Sequence, residues 1–350
     1  MKAVQFDEHG GRDVLEYASI DEPEIGPDEA LVEIKAGALN HLDVFTREGL
    51  GALGRLELEL PHIPGSDAAG IVLEVGNEVD RFESGDRVTV TPALACRSCE
   101  HCRHGDPSMC NDLQIIGEHV RGVHAEKAAV PAANLVSVPE DVDWETAAAA
   151  PLVFQTAWRM LVTRADLGPG EEILVLGANG GVGHAAVQIA DHIGATVIGA
   201  STEEHLQKVE EIGAEHAINH EAEDITGRIQ TLTDDRGVDV VVDHVGAATW
   251  QDSLHSLVKG GRIVTCGATT GRHPETDLNA IFWNQLEIVG STIGTPGEMD
   301  DVLDLVWDGA FRPQVRDTVP MSEIDEAHEL IETEDVFGKV VVVPDSEYDG

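Results

Sequence analysis

Basic residues are scarce in this chain. Lys and Arg number 22 against 65 Asp and Glu in 350 residues, giving a formal net charge of −43, and lysine occurs only at Lys2, Lys35, Lys127, Lys208, Lys259 and Lys339. A polyanion of this kind repels nucleic acid and anionic lipid, so neither is an expected partner. No apolar run reaches the length of a membrane span. The opening Met1-Lys2-Ala3-Val4-Gln5-Phe6 is an alternating strand pattern without an apolar signal core, so a cytoplasmic location is expected. Tyrosine is limited to Tyr17 and Tyr348, which leaves little phenolic acid chemistry. Cysteine is nearly absent outside one stretch, and Cys266 stands alone.

The acidic residues are spread between well-patterned apolar segments rather than gathered in a tail, so the surface itself is acidic and disorder is a poor explanation. Near molar salt the Debye length shrinks to about 3 Å and screens the self-repulsion of such a fold. A salt-adapted, halophilic cytoplasm is the expectation, and the charge then reflects solvent rather than substrate.

The other four cysteines form Cys96-x2-Cys99-x2-Cys102-x7-Cys110. C-x2-C spacing lets neighbouring thiolates converge on one ion, and the set reads as four ligands of a tetrahedral zinc. The alternatives are free thiols on a polar loop and a redox pair, but a redox pair needs neither a third nor a fourth cysteine. Disulfides fit worse, because C-x2-C pairs inside cells are usually metal or redox motifs. With all four positions filled by protein, such a zinc is closed to substrate and structural.

Residues up to about 150 read as short strands between Gly and Pro turns: Ala30–Lys35, Ala68–Val75, Arg87–Thr91 and Ala125–Val130. An apolar helical run, Ala147–Val162, follows. Strands at Glu172–Leu176, Thr196–Ser201, Val238–Asp243, Arg262–Gly267 and Glu287–Thr292 then alternate with helices at His184–Ile193, Glu203–Ile212, Ile225–Thr233 and Trp250–Leu257. Alternation of this kind implies a doubly wound parallel sheet, so the fold class is α/β. Helices near Glu298–Trp307 and Ser322–Thr333 and a strand at Gly338–Val343 complete the chain.

The strand ending at Leu176 runs into Gly177-Ala178-Asn179-Gly180-Gly181-Val182-Gly183 and then a helix. Glycines here permit a tight turn and close approach of a pyrophosphate to the helix N-terminus, although Ala178 takes the place of the first glycine of G-x-G-x-x-G. Asn179, Gly180, Gly181, Val182 and Gly183 are therefore cofactor-binding candidates. At the end of the next strand stands Ser201-Thr202 rather than an acid that would bind the ribose hydroxyls. Small hydroxyls without a carboxylate favour the 2′-phosphate of NADPH, with NADH as the alternative.

Together, the four-cysteine lobe, Val75-Gly76-x5-Phe82-x2-Gly85-Asp86-Arg87-Val88, the Ala178–Gly183 turn, Val242-Asp243-His244-Val245-Gly246 and Val289-Gly290-Ser291-Thr292 resemble the medium-chain dehydrogenase/reductase superfamily. The resemblance covers essentially the whole chain. It implies a GroES-like β-rich catalytic domain over 1–152 with a structural zinc lobe at about 94–112, a Rossmann NAD(P)-binding domain over 153–290, and a return to the catalytic domain over 291–350. Zinc alcohol dehydrogenases of the family take catalytic ligands from three places where this chain has Asn40, Ser66 and Leu152. None of these supplies the nitrogen, sulfur or carboxylate donor that catalytic zinc needs, with Asp43, Asp67, His41 and His119 the nearby substitutes.

Without that Lewis acid, alcohol oxidation is difficult, whereas hydride delivery to an activated acceptor remains feasible. The chain resembles the quinone-oxidoreductase-like branch in Asn40, Pro64-Gly65-Ser66-Asp67 and the Ala-x-Gly-Gly-Val-Gly turn. That branch reduces quinones or conjugated C=C bonds, enoyl thioesters among them, with NADPH. The resemblance places the nicotinamide near Thr156, Val245 and Gly267 and His41 near the pyrophosphate, with Ser201 toward the adenosine ribose. Asn40 is the candidate donor to the cofactor ribose or an acceptor carbonyl, with a turn-forming role equally open. Asp43 is a further catalytic candidate, though more often a structural acceptor. His119, in Gly117-Glu118-His119, is the candidate proton donor. The Ile288–Ile293 strand resembles the edge through which the family forms dimers, so a homodimer or dimer of dimers acting on a small molecule is expected. A zinc alcohol dehydrogenase and an NADPH-binding protein with little catalysis are the competing readings.

Overall fold

In the strand Glu29–Ala38 the side chains of Ala30, Val32, Ile34, Ala36 and Ala38 alternate inward and are almost wholly shut from solvent. This strand is the middle of a seven-stranded sheet among the described residues, which are 1–51, 54–333 and 336–348 of the computed structural model. The order along that sheet is Leu135–Ser137, Arg87–Val90, Asp67–Val75, Glu29–Ala38, Lys339–Val343 and Val315–Pro320, with Lys127–Pro131 also paired to Glu29–Ala38. The C-terminal strand joins it antiparallel, Val341 opposite Ala38 and Val342 opposite Gly37. Two segments far apart in sequence thereby share one core, in which Val32, Ile34, Val72, Val88, Val130, Val340 and Val342 pack together.

The second sheet has six parallel strands, ordered His216–Asn219, Thr196–Ser201, Glu172–Leu176, Val238–Val242, Leu257–Thr265 and Glu287–Gly290. Its central strands are buried throughout: Ile173, Leu174, Val175 and Leu176 show at most 1% exposure. Helices covering both faces require this continuous apolar pattern, which is why these strands do not alternate.

The chain divides into two compact units, Met1–Leu152 with Thr295–Gly350, and Val153–Gly294. The return to the first unit begins at Thr295 rather than 291. Ser291 N–H still donates to Thr265 O at 2.9 Å, and a Cβ on Gly294 would lie 2.6 Å from Gln155 Cγ, so both residues belong to the parallel-sheet unit.

Local details also differ from the sequence pattern. The single helical run expected over Ala147–Val162 is three pieces: Trp144–Ala149, Pro151–Trp158 and a π-helical Arg159–Arg164. Pro151 has no N–H to continue the first piece. The strand His216–Asn219 and the helices His41–Glu48 and Leu278–Asn284, of 4, 8 and 7 residues, are too short to stand out in sequence. No helix among the described residues is long and apolar enough to cross a membrane.

Candidate functional site

Three constellations carry chemistry, two in the first unit and one in the second. In the first unit, the Sγ atoms of Cys96, Cys99, Cys102 and Cys110 all lie within 4.8 Å of one another. The Cys99–Cys102 and Cys96–Cys102 sulfur separations are 3.5 and 4.0 Å. Four sulfurs about 2.3 Å from a tetrahedral ion are separated by about 3.8 Å, so the cradle matches zinc. Backbone N–H groups already point at the sulfurs: Cys99 N–H donates to Cys96 Sγ and Cys96 N–H to Cys110 Sγ, both at 3.3 Å. Backbone N–H groups of Ser98 and Cys99 lower the Cys96 pKa, favouring the thiolate a metal needs. Arg97 supports this tight loop with φ of 56°. A zinc held by all four would brace the lobe and offer no coordination position to a substrate.

In the second unit, the turn after Glu172–Leu176 is set by contacts only glycine permits. A Cβ on Gly183 would fall 2.0 Å from Gly177 O, so the helix Gly181–Ile193 can start directly against the strand end. Ala178, in the place of the usual first glycine, is accommodated by the neighbouring strand, where a Cβ on Gly199 would stand 3.1 Å from Ala178 Cβ. The helix N-terminus offers Gly181, Val182 and Gly183 N–H groups to an anion. At the end of the adjacent strand, Ser201 Oγ is buried without a hydrogen-bond partner. Asn219, paired with Ser201 in the sheet, holds Glu203 Oε2 through Nδ2 at 2.8 Å. The glycine cradle and the orphaned hydroxyl fit a dinucleotide.

Asp243 organises the other strand end of this unit. Its Oδ1 accepts Val245 N–H at 3.0 Å and Gly246 N–H at 2.9 Å, and its Oδ2 accepts Ser253 Oγ–H at 2.6 Å. The candidate Val245 is therefore fixed by a buried carboxylate, while Gly267 is exposed beside the His244 carbonyl. Thr156 and Asn179 are buried.

The third constellation surrounds Asn40 in the first unit. Asp43 begins it: its Oδ2 accepts the Asn40 N–H at 2.8 Å, closing the N-terminus of the helix His41–Glu48, and its Oδ1 accepts Gly65 N–H at 3.0 Å. Gly49, at φ 76°, ends that helix. The Asn40 amide is committed on both sides, with Nδ2 donating to Asp67 Oδ2 at 2.9 Å and Oδ1 accepting from Lys339 Nζ at 2.5 Å. A cation on one side and a carboxylate on the other allow only this amide orientation. Asp67 Oδ1 accepts the Leu152 N–H at 3.0 Å. Ser66 Oγ is buried without a hydrogen-bond partner. Asn40, expected as a donor to cofactor or substrate, is thus held within the protein, and His41 is exposed with its ring 6.4 Å from that of Phe45.

Burial governs the charges here. It pushes Asp43 up to about 6 against the pull of the Asn40 and Gly65 N–H groups and of Lys339. Asp67 is also raised by burial, with Lys339 opposing, and burial lowers Lys339, with Asp67 opposing. His124 is lowered to about 4 by burial. Its ring fills the space that a Cβ on Gly65 would need, 2.4 Å from Cδ2, which together with a φ of 103° requires glycine there.

His119 does not stand ready as an acid. Its Nδ1 accepts the Ile115 N–H at 3.2 Å, and burial lowers its pKa. The neighbouring Glu118, only 3% exposed, is raised by burial and secondarily by Asp43 to about 7. Glu118 Oε2 lies 3.5 Å from His119 Nδ1, but Nδ1 is an acceptor here and burial disfavours the charged form of both groups, so the contact is not an ion pair. Asp67 was expected only as a substitute metal ligand, and Glu118, Lys339 and His124 carried no expected chemistry. Glu118 stands beside Gly117, whose missing Cβ would lie 2.3 Å from Gly65 O.

The family models agree with this anatomy. Residues 26–140 match the alcohol dehydrogenase GroES-like domain, and residues 181–308 the zinc-binding dehydrogenase domain. An acryloyl-coenzyme A reductase of Sulfurisphaera tokodaii is 31% identical, covering 98% of this chain and 100% of that protein. A quinone oxidoreductase of Pseudomonas aeruginosa is 32% identical, covering 98% and 99% respectively. A crystal structure of an NAD-dependent alcohol dehydrogenase superposes with a TM-score of 0.94 at 40% identity, covering 98% of this chain and 99% of that one. With the GroES-like and Rossmann sheets in place, the chain is an oxidoreductase belonging to the medium-chain dehydrogenase/reductase superfamily.

Proposed function

We propose that the protein reduces an activated double bond, that of an enoyl thioester or enone, or a quinone, using a nicotinamide dinucleotide and no catalytic zinc. The observation that carries this reading is the Lys339 ammonium 2.5 Å from Asn40 Oδ1. A dication on the same amide oxygen would press against a buried ammonium, and unlike charges close by are what a metal site needs. Ser66 and Leu152 add no ligand of the required kind. The relatives named acryloyl-coenzyme A reductase and quinone oxidoreductase support acceptors that need no Lewis acid.

The bound dinucleotide supplies the hydride. The chain's own residues hold it by the Ala178–Gly183 turn and leave the Ser201 hydroxyl for the adenosine ribose. We favour NADPH over NADH because Ser201 stands where a ribose-binding acid would exclude the 2′-phosphate, and because Glu203 is turned to Asn219. Hydride addition to the β-carbon puts negative charge on the acceptor carbonyl oxygen, and a proton at the α-carbon completes the reduction.

The test measures NADPH and NADH consumption with crotonyl-CoA, cyclohexenone and benzoquinone in high salt, alongside metal content. Turnover with one zinc per chain is expected. Two zincs per chain with chelator-sensitive ethanol oxidation would replace the proposal by the second reading, a zinc alcohol dehydrogenase, which the 40% identical crystal structure favours. Tight NADPH binding with no turnover would indicate a binding protein.

A homodimer fits the parallel-sheet unit. Its edge strand Glu287–Gly290 is preceded by a helix exposing Leu278 at 70%, Phe282 at 63% and Trp283 at 71%. A second copy pairing along that strand would cover them. Trp283→Asp is expected to halve the mass measured by light scattering, and an unchanged mass would refute the edge pairing.

A further inference from the structure

The parallel sheet reverses its order between Glu172–Leu176 and Val238–Val242. From the first strand the chain steps outward through Thr196–Ser201 to His216–Asn219, then returns to pair Val238–Val242 along the opposite side of Glu172–Leu176. The carboxyl ends of two strands that diverge in this way frame the crevice where doubly wound sheets bind their ligands. One lip of that crevice is the Gly177–Gly183 turn. The other is Asp243-His244-Val245-Gly246, which follows Val242 directly. His244 is half-buried there, and its ring leans on the turn. A Cβ on Gly177 would stand 3.2 Å from His244 Nε2, and one on Gly180 would stand 3.8 Å from the same atom. The two lips are thus fitted to each other around the imidazole.

The mount beneath the ring is rigid. Asp243 clamps the residues that follow through the Val245 and Gly246 N–H groups and the Thr249 and Ser253 hydroxyls. On the far side Val245 O accepts the Thr270 N–H and Oγ1–H, both at 2.8 Å. Charge gives the ring its importance. No Lys or Arg falls between Arg164 and Lys208 or between Arg236 and Lys259, so neither lip carries a permanent cation, in a chain whose net charge is −43. A pyrophosphate drawn to the Gly181–Gly183 N–H groups approaches against that overall field. From the opposite lip, the His244 ring is the side chain turned to the same glycines.

We infer that His244 is a cofactor-binding residue, donating from Nε2 to a pyrophosphate oxygen of the dinucleotide across this crevice. The inference rests on the dinucleotide reading of the previous subsection and is independent of which acceptor is reduced. An imidazole donates from Nε2 either as the neutral Nε2–H tautomer or when protonated. A hydrogen bond to an ionised phosphate is shorter and roughly twice as strong as a neutral one. His244 thereby gives the glycine turn a side-chain contact to the anion that Lys or Arg would otherwise supply.

The test measures Kd for NADPH, NADH and ADP-ribose with full-length wild type, His244→Ala and His244→Gln at one fixed high salt concentration. ADP-ribose keeps the pyrophosphate and lacks the nicotinamide. His244→Ala is expected to weaken all three ligands by about tenfold. His244→Gln, whose amide can still donate, should recover part of the loss. Phosphorus NMR of bound NADPH should show the pyrophosphate resonances displaced in His244→Ala and the 2′-phosphate resonance in place. Nitrogen NMR of wild type, with His244 assigned from the His244→Gln spectrum, should show its Nε2 resonance move when ADP-ribose is added, a readout that does not depend on the Ala variant folding. Unchanged affinities, a loss confined to NADPH and NADH, or an unmoved Nε2 resonance would each overturn the pyrophosphate contact. Absence of dinucleotide binding by wild type would instead refute the dinucleotide reading and the contact with it.

Discussion

Lys339 Nζ lies 3.2 Å from Asp67 Oδ2 across 272 positions of sequence, with both side chains at most 2% exposed. Removing one partner of such a pair strands the other. Lys339→Met should therefore lower stability by about 3–5 kcal/mol in chemical denaturation at pH 8. The loss should be smaller at pH 5, where Asp67, already raised by burial, can take up a proton. Adding Asp67→Leu to Lys339→Met should recover much of it. A single Lys339→Met variant as stable as wild type would show that the pair contributes little.

Glu118 gives a second, pH-dependent term. Its carboxyl rises from 4.5 to about 7 on folding. Between those values the folded state holds more protons than the unfolded state, so stability falls as pH rises. The fall is on the order of 3 kcal/mol from pH 4.5 to 7 if Glu118 acts alone. Glu118→Gln should flatten that part of the stability–pH curve, read by urea denaturation at each pH.

The cysteine lobe predicts stoichiometry. Purified protein should carry one zinc per chain, and Cys99→Ser should bring the content toward zero. Limited proteolysis of the variant should then cut within residues 96–110, where few other contacts hold the chain. Full zinc retention in Cys99→Ser would mean the four sulfurs do not act as one site.

Ser201→Asp should place a carboxylate where a 2′-phosphate would lie. The ratio of kcat/KM for NADPH over NADH is expected to drop by about tenfold, or ~1.4 kcal/mol. An unchanged ratio would remove Ser201 from cofactor selection.

The surface charge predicts a rise in stability with salt. From 0.1 to 1 M KCl the Debye length falls from about 10 to 3 Å, and Tm should rise by about 5 °C or more. An equal rise in an uncharged osmolyte at matched activity would assign the effect to surface exclusion instead of charge screening.

The strands of the second unit were readable in the sequence because Val240–Val242 and Ile173–Leu176 are buried on both faces and spell out short apolar runs. The glycines of the dinucleotide turn and the spacing of the four cysteines were readable for a related reason: backbone geometry and metal coordination each demand particular residues at fixed intervals. His216–Asn219 was not, because an edge strand of four residues with two polar ends has little pattern to show. The Asn40 constellation was readable only in part. Asn40 and Asp43 lie in one local motif, but the partner that commits the Asn40 amide, Lys339, comes from the far end of the chain. Glu118 belongs to no local pattern, and only its burial in the folded chain distinguishes it.

The pairing of Lys339–Val343 with Glu29–Ala38 has a consequence for biosynthesis. The first sheet lacks two of its strands until the ribosome has made nearly all of the chain, whereas Val153–Gly294 is contiguous and can fold as soon as it emerges. Until residue 339 is synthesised, Asp67 has no cation to bury against. Nascent chains halted near residue 300 should therefore hold a protease-resistant central fragment beside an N-terminal segment still open to chaperones.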